Sequence, residues 1–310
     1  MTLQQLAYFA ALADVRSFTR AAELTGVAQP TLSRQLKALE DELGAPLVNR
    51  GKTVTLTPAG TAILPLARRM LADAHSARTT VAEIVGLRQG RLRVGATPSL
   101  CIGVLADVLR VFHEQHPEIH LHLAENGSQP LVRDLASGEL DVAMVIVPPS
   151  GLDPSLHLTP LLRERLSVAS PRSSRPPSSR ASMTVAELSR KPLVMVRQGY
   201  DLRQVTLEAF REAGVTPRYA VEGGEMDAVL RLVEAGTGVA VVPDLVFAGR
   251  PRLRRTVLTP PLYRTVAIAR RADIAPTHAA SAFTDTLLSF LSDVAASGGL
   301  AADVQILHRG

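Results

Sequence analysis

Apolar positions over the first 57 residues fall at helical spacing, interrupted by single glycines. Leu3, Leu6, Phe9, Ala10 and Leu12 recur every three or four positions and predict a helix over Leu3–Val15. Thr19 to Leu24 predicts a second, shorter helix with Ser17 as its cap. Gly26 supplies the turn that follows, because glycine takes positive φ without steric cost. From Gln29 to Gly44, Leu32, Leu36, Leu39 and Leu43 mark one inward face, and Pro30 falls in the first turn, where it does no harm. Pro46 to Leu56 then gives two short β-prone runs around Gly51, a predicted hairpin.

One long helix is predicted over residues 58–88, with Thr57 as N-cap and Pro58 at the first helical position. At 1.5 Å per residue it spans roughly 45 Å. Ile63, Leu66, Met70, Ala74, Ala77, Val81 and Ile84 form a stripe, and Pro65 should bend the first turns. A stripe must be buried against something. The helix either packs on its own domain or, as its position between two domains favours, forms an antiparallel dimer coiled coil.

From residue 91 the pattern changes to strands alternating with helices. Leu92–Ala96, Ile119–Glu125 and Leu140–Val147 read as strands, separated by helices ending near His116 and running from Gln129 to Ser137. A second half repeats the scheme: strands at Leu193–Val196, Arg218–Val221, Gly238–Val242 and Tyr263–Ala269, helices at Leu202–Ala213, Met226–Ala235 and His278–Ala295. The alternation predicts an α/β protein with a mostly parallel sheet in two lobes and a ligand crevice beyond the strand C-termini. Ser170–Ser182, rich in Pro, Ser and Arg, reads as an exposed loop, and the tail after Ser297 as loosely ordered.

Composition narrows the picture. The 310 residues are 46% hydrophobic and 20% charged, enough for about two domains. Net charge is +5, but residues 1–57 hold only six Lys/Arg against five Asp/Glu, so any nucleic-acid contact must come from placement of charge. The lone Cys101 excludes an internal disulfide and a thiolate zinc cluster. No apolar run reaches the roughly 18 residues of a membrane span, and the first residues lack the basic start of a signal peptide. A reduced cytoplasm is the expected location, with no membrane partner.

Gln29, Thr31, Ser33, Arg34 and Lys37 are left outward near the start of the third helix. Amide and guanidinium groups there suit base edges in a major groove, and hydroxyls suit phosphates. Arg50 and Lys52 flank the hairpin glycine, as a basic wing against the DNA backbone would. A solvated amphipathic helix and a plain hairpin explain each part singly; the ordered set of helix, helix, turn, helix, basic hairpin and long helix argues for a winged helix-turn-helix.

No catalytic or metal-binding constellation emerges, and no cofactor is expected. Ser99 has no paired His and Asp at a recognisable spacing. His113 and His116 end one helix while His120 and His122 lie on the next strand, which reads as exposed polar surface. Competing readings are an α/β binding or catalytic protein with an incidental helical head, and an architectural DNA-binding protein without a ligand.

Ala21-Ala22-Glu23-Leu24, Gln29 to Leu36, Leu39-Glu40, Leu43-Gly44, Pro46-Leu47 and Leu56-Thr57-Pro58-Ala59-Gly60 closely resemble the head of the LysR-type transcriptional regulators. Val233 to Pro243 resembles the second lobe of that family's sensor, and the likeness covers the chain in order and length. Departures are small: Ala28 stands where the family has a capping serine, at a cost of about 1 kcal/mol, and Val48 replaces the phenylalanine of the wing.

The resemblance implies an all-α winged helix-turn-helix over 1–57 and a linker helix over 58–89. It implies a periplasmic-binding-protein-like (type 2) sensor over 91–297, made of two Rossmann-like α/β lobes (91–162 plus 267–297, and 163–266), with a tail over 298–310. Crossovers are expected near Leu161–Arg163 and Thr265–Ala267. The implied partners are double-stranded promoter DNA, a small effector such as a carboxylate or other anion, RNA polymerase, and further copies of the chain as dimer or tetramer.

The groove-facing positions match Gln29, Pro30, Thr31, Ser33 and Arg34, and Arg50 lies in the wing. Effector contacts fall at Thr97, Ser99 and Leu100, where a strand gives way to a helix whose N-terminus favours an anion. Across the cleft, the loop Gln198-Gly199-Tyr200 precedes the matching helix of the second lobe, and Asn126, after the second strand of the first lobe, completes the pocket. Thr97 and Ser99 acting only as helix caps is the competing reading. Family members that sense peroxide use cysteine pairs, and Cys101 has no partner thiol, so it is read as a packing residue.

Overall fold

The Thr2 hydroxyl accepts from the Gln5 amide while Gln5 Oε1 accepts from the Thr2 amide, and this reciprocal box starts α1 (Leu3–Val15). A computed structural model describes residues 1–49, 51, 54–84, 90–148, 151, 155–178, 180–297 and 304–308, which form two compact units. In the first, α1 is followed by α2 (Phe18–Thr25) and α3 (Gln29–Leu43), then by strands β1 (Val48–Asn49) and β2 (Thr55–Leu56), which pair antiparallel, and by α4 (Pro58–Ile84). Ser17 Oγ accepts from the Arg20 amide, and Gly26 ends α2 at φ 66°. These are the cap and the turn residue that the sequence predicts.

Phe9, Leu12, Leu32, Leu36 and Leu39 fill the core of this unit, each burial contributing about 1.5–3 kcal/mol. Leu43 departs from the predicted inward face and is 38% exposed, while Glu40 takes the buried place. Burial of Glu40 has a local reason: its Oε1 accepts from the amides of Leu47 at 2.8 Å and Val48 at 3.3 Å, so the carboxylate anchors the start of the hairpin to α3. Thr57 Oγ1 donates to Pro46 O at 2.6 Å and accepts from the Gly60 amide at 3.0 Å. A side chain at Gly60 would sit 2.0 Å from Leu47 O, so only glycine lets α4 start this close to the hairpin. The predicted Arg50 and Lys52 lie outside the described residues.

The second unit begins with β3 (Arg91–Ala96), α5 (Pro98–Leu100), a π-helical turn at Cys101–Leu105 and α6 (Ala106–Gln115). Then come β4 (His120–Glu125), α7 (Ser128–Ala136), β5 (Val142–Val147), β6 (Leu156–Pro171), β7 (Ser182–Met183), α8 (Val185–Leu188), β8 (Pro192–Val196) and α9 (Asp201–Glu212). The chain closes with β9 (Arg218–Gly224), α10 (Met226–Glu234), β10 (Ala240–Pro243), a 3-10 turn at Asp244–Phe247, β11 (Leu253–Arg271), α11 (His278–Ala296) and β12 (Val304–Ile306).

β3 pairs parallel with β4 and β5, and β8 pairs parallel with β9. The two longest strands, β6 and β11, pair antiparallel with each other along most of their length, so the sheet is mixed rather than mostly parallel. Sequence patterning exposed only part of β11 and missed β6, because strands of 16 and 19 residues that serve two lobes carry no single alternation. Their register slips between Val266 and Ala267, within one of the predicted crossovers. The lobes have separate cores, one around Phe112, Phe283 and Leu287 and the other around Phe210, Val229 and Leu230.

Two loop expectations change. Ser170 and Pro171 are buried in the end of β6, leaving the exposed loop to begin at Arg172. The tail is not uniformly loose: β12 adds antiparallel to β6, Val304 opposite Glu164.

Candidate functional sites

On the first unit, α3 presents its opening turns outward. Gln29, Pro30, Arg34 and Lys37 are exposed, and Thr31 and Ser33 are half-buried. Ala28 makes no side-chain cap, as an alanine must, so the first amides of α3 have no side-chain acceptor there. Arg34 Nε donates to Pro30 O at 3.3 Å, which lays the guanidinium along the helix start. Lys37 pairs with Asp41 at 2.7 Å across one turn, both well exposed, a contact worth well under about 1 kcal/mol and readily exchanged for a phosphate. Gln29, Thr31 and Ser33 make no side-chain hydrogen bond to the described residues. Three polar side chains at one helix start therefore have their donors and acceptors unused.

In the second unit a small cavity of about 20 Å³ lies where the lobes meet, lined among others by Thr97, Ser99, Ile146, Tyr200, Asp201 and Arg264. That is room for about one water, so the lobes are drawn together. Thr97 occupies the N-cap position of α5 but caps nothing, and its buried Oγ1 has no hydrogen-bond partner among the described residues. Ser99 Oγ accepts from Arg264 Nη1 at 2.9 Å. Neither hydroxyl acts as a helix cap, which removes the competing reading of the pair.

Arg264 is held by Glu164: its Nε and Nη2 donate to Glu164 Oε1 at 2.9 and 2.6 Å, with both residues buried. The lobes are also pinned at their rim. The Ser128 hydroxyl donates to Asp201 Oδ2 at 2.7 Å and accepts from the Ile146 amide at 3.0 Å. Gly127 meets the Gly199 carbonyl so closely that a side chain at Gly127 would lie 2.2 Å from it. Gly199 itself sits at φ 88°, where only glycine is free of strain.

Of the residues expected at the cleft, Thr97, Ser99 and Tyr200 line the cavity. Asn126 and Gly199 stand at the seam beside it, Asn126 Oδ1 accepting from Arg197 Nη2 at 3.4 Å. Leu100 is placed elsewhere: it is fully buried in the core of the first lobe, because its helical position turns the side chain toward Val104 and Phe112. Tyr200 donates its hydroxyl to Glu225, and Arg197 lies 4.3 Å over its ring. Burial, and then the bond to Glu225, push the phenol up to about 12, so it stays protonated.

Sequence reasoning missed Arg264, Glu164, Asp201 and Ser128. A signal existed for the first two: a charged residue at an inward position of an otherwise apolar strand needs a buried partner.

Among the described residues, no group of three or more His, Cys, Asp and Glu could hold a metal ion, and no helix is long and apolar enough to cross a membrane.

Comparison with known proteins fits both halves. Residues 3–61 match the bacterial regulatory helix-turn-helix protein, lysR family, and residues 86–292 match the LysR substrate binding domain. The HTH-type transcriptional regulator TtuA of Agrobacterium vitis is 35% identical over 255 residues, covering 78% of this chain and 80% of TtuA. Full-length OxyR from Pseudomonas aeruginosa superposes with a TM-score of 0.71 at 30% identity, covering 93% of this chain and 98% of that one. Full-length CbnR, solved in complex with its target DNA, gives a TM-score of 0.67 at 27% identity over 93% of this chain and 99% of CbnR.

Proposed function

The chain belongs to the LysR family of DNA-binding transcriptional regulators, and we propose that it reads promoter DNA with the start of α3 and answers to a small anion held between the lobes of its sensor. It is a regulator and not an enzyme.

The observation that carries the DNA reading is the row Gln29, Thr31 and Ser33, beside Arg34, at the exposed start of α3. Unused amide and hydroxyl groups flanked by a guanidinium are what base edges and phosphates require. Pro30 and Lys37 complete the face, and Arg50 and Lys52 of the hairpin would add backbone contacts that pull all sequences alike.

For the effector, Thr97 and Arg264 support a ligand rich in hydrogen-bond acceptors, such as a carboxylate, with the arginine's charge already balanced by Glu164. Arg264 uses three of its five N–H donors on Glu164 and Ser99, which leaves two, and the Thr97 hydroxyl, on the lining of the same cavity, has no partner among the described residues. Ser99 and Tyr200 would add polar contacts, with Asn126 and Gly199 shaping the rim and Leu100 packing behind. A ligand larger than water must part the lobes, so binding and lobe movement are one event.

A dimer through α4 fits the same reading. Leu66, Met70 and Val81 are 51%, 37% and 60% exposed along one helix, an apolar stripe with no cover in its own unit. Division into a head (1–57), linker (58–89), sensor (91–297) and tail (298–310), tetramer assembly, contact with RNA polymerase and a cytoplasmic location belong to this proposal. The test is to sequence genomic fragments retained by the full chain. A recurring, inversely repeated half-site near promoters is the expected outcome; retention without sequence enrichment would contradict it.

A further inference from the structure

A second cavity lies at the far end of the second lobe, where β6 runs out at Pro171 and β11 begins at Leu253. Its volume is about 620 Å³, much of it open to solvent, so it would seat a ligand on one side rather than enclose it. Arg172, Arg250, Arg254 and Arg255 line it, with Phe247 and Leu253 as an apolar wall.

The four arginines are not equivalent. Arg250 donates to Asp227 at 2.6 Å and reaches Glu234 at 3.5 Å. Arg255 is paired with Asp244, whose side chain is fully buried. These two are neutralised and fixed. Arg254 spends its Nη1 and Nη2 on the carbonyls of Ser174 at 2.8 Å and Arg172 at 3.0 Å, which holds its guanidinium in place but leaves the charge uncompensated. The Arg172 side chain makes no hydrogen bond to the described residues. Two positive charges without a carboxylate partner among the described residues thus face one partly apolar depression.

We propose that this cavity is a second ligand site, for a small dianionic phosphate ester carrying an apolar group. Two uncompensated guanidinium groups match two negative charges: the free planar fork of Arg172 suits phosphate oxygens, and Arg254, held by its two carbonyls, adds a fixed charge. Phe247 and Leu253 supply the face on which an apolar body rests. The site shares no lining residue with the cavity between the lobes, so it stands or falls separately from the effector reading.

The probe is phenyl phosphate, titrated into the full chain by calorimetry at low salt, with inorganic phosphate in parallel. One site per chain is expected. Arg172→Glu should weaken phenyl phosphate at least about tenfold, equal to about 1.4 kcal/mol. Arg218→Glu, an exposed charge reversal outside this cavity, should change affinity less than about twofold. Phe247→Ala should weaken phenyl phosphate more than inorganic phosphate. No binding by the parent, equal losses in Arg172→Glu and Arg218→Glu, or an unchanged Arg172→Glu would each overturn the site. Inorganic phosphate binding as tightly as the ester would overturn the apolar part. A non-specific duplex that competes with phenyl phosphate and loses affinity in Arg172→Glu would reassign the face to the DNA backbone.

Discussion

Arg264 and Glu164 stand directly opposite each other on antiparallel neighbours β11 and β6, and the guanidinium closes on the carboxylate where both strands pass from lobe to lobe. The pair reaches two further elements. Arg264 continues to Ser99 at the start of α5, and the second carboxylate oxygen of Glu164 accepts from the Leu245 amide at 3.1 Å in the turn after β10. One buried ion pair therefore links both lobes to the strands that cross between them.

Breaking that pair should be costly. Glu164→Gln leaves a buried guanidinium without its anion, and loss of one partner in such a pair costs about 3–5 kcal/mol. Urea unfolding of the full chain is the measurement. The single variant should unfold at clearly lower urea, and adding Arg264→Met should recover most of the loss. A Glu164→Gln midpoint equal to the parent's would show that the pair does not hold the crossing.

Thr97 offers a contrast. Its hydroxyl has no partner among the described residues, so Thr97→Val removes no hydrogen bond seen there and should leave stability within about 0.5 kcal/mol. If the hydroxyl receives the effector, the inducer concentration for half-maximal reporter output should rise about tenfold, the equivalent of one polar contact. A midpoint that stays put in Thr97→Val would take this hydroxyl out of the effector site.

The exposed stripe on α4 predicts assembly. Met70→Asp or Val81→Asp places a charge in the proposed seam, where an unpaired carboxylate is strongly unfavourable. Sedimentation should show smaller species and a matching loss of operator binding. A sedimentation profile like the parent's would leave the stripe as surface.

Cys101 should be inert. Burial pushes its thiol up to about 12, and the neighbouring Glu125 carboxylate adds to the shift. Only the thiolate reacts, so near pH 8 the native protein should alkylate far more slowly than the unfolded chain. With a single cysteine in the sequence, no internal disulfide can form. DNA binding should thus be unchanged by peroxide in both the parent and Cys101→Ser. An oxidant response that disappears in Cys101→Ser would refute this.

Much of the molecule is legible in the sequence, for physical reasons that can be named. The head is written in caps and spacing: Ser17, Gly26 and Pro58 act locally, and Leu32, Leu36 and Leu39 fall on one helical face. Thr97, Ser99 and Tyr200 were reachable because they sit at strand ends, where crevices of α/β sheets open. The side chain of Leu100, one residue on from Ser99, is turned about 100° around the helix and goes into the core instead of the cavity lining. Arg264, Glu164 and the Ser128–Asp201 clasp join residues 73 to 165 positions apart. No local pattern specifies which partner each meets; the Arg264–Glu164 pair is settled only when β6 and β11 pair, and the clasp only when α7 and α9 come together.

The central claim is sequence-specific DNA reading by α3, and its most direct measurement compares parent and Arg34→Ala on a selected operator and on a scrambled duplex of equal length, by fluorescence anisotropy at one fixed salt concentration. The parent should prefer the operator strongly. Arg34→Ala should lose about 1–3 kcal/mol on the operator and little on the scrambled duplex. Equal affinity of the parent for both duplexes, or equal operator affinity of parent and variant, would contradict the account.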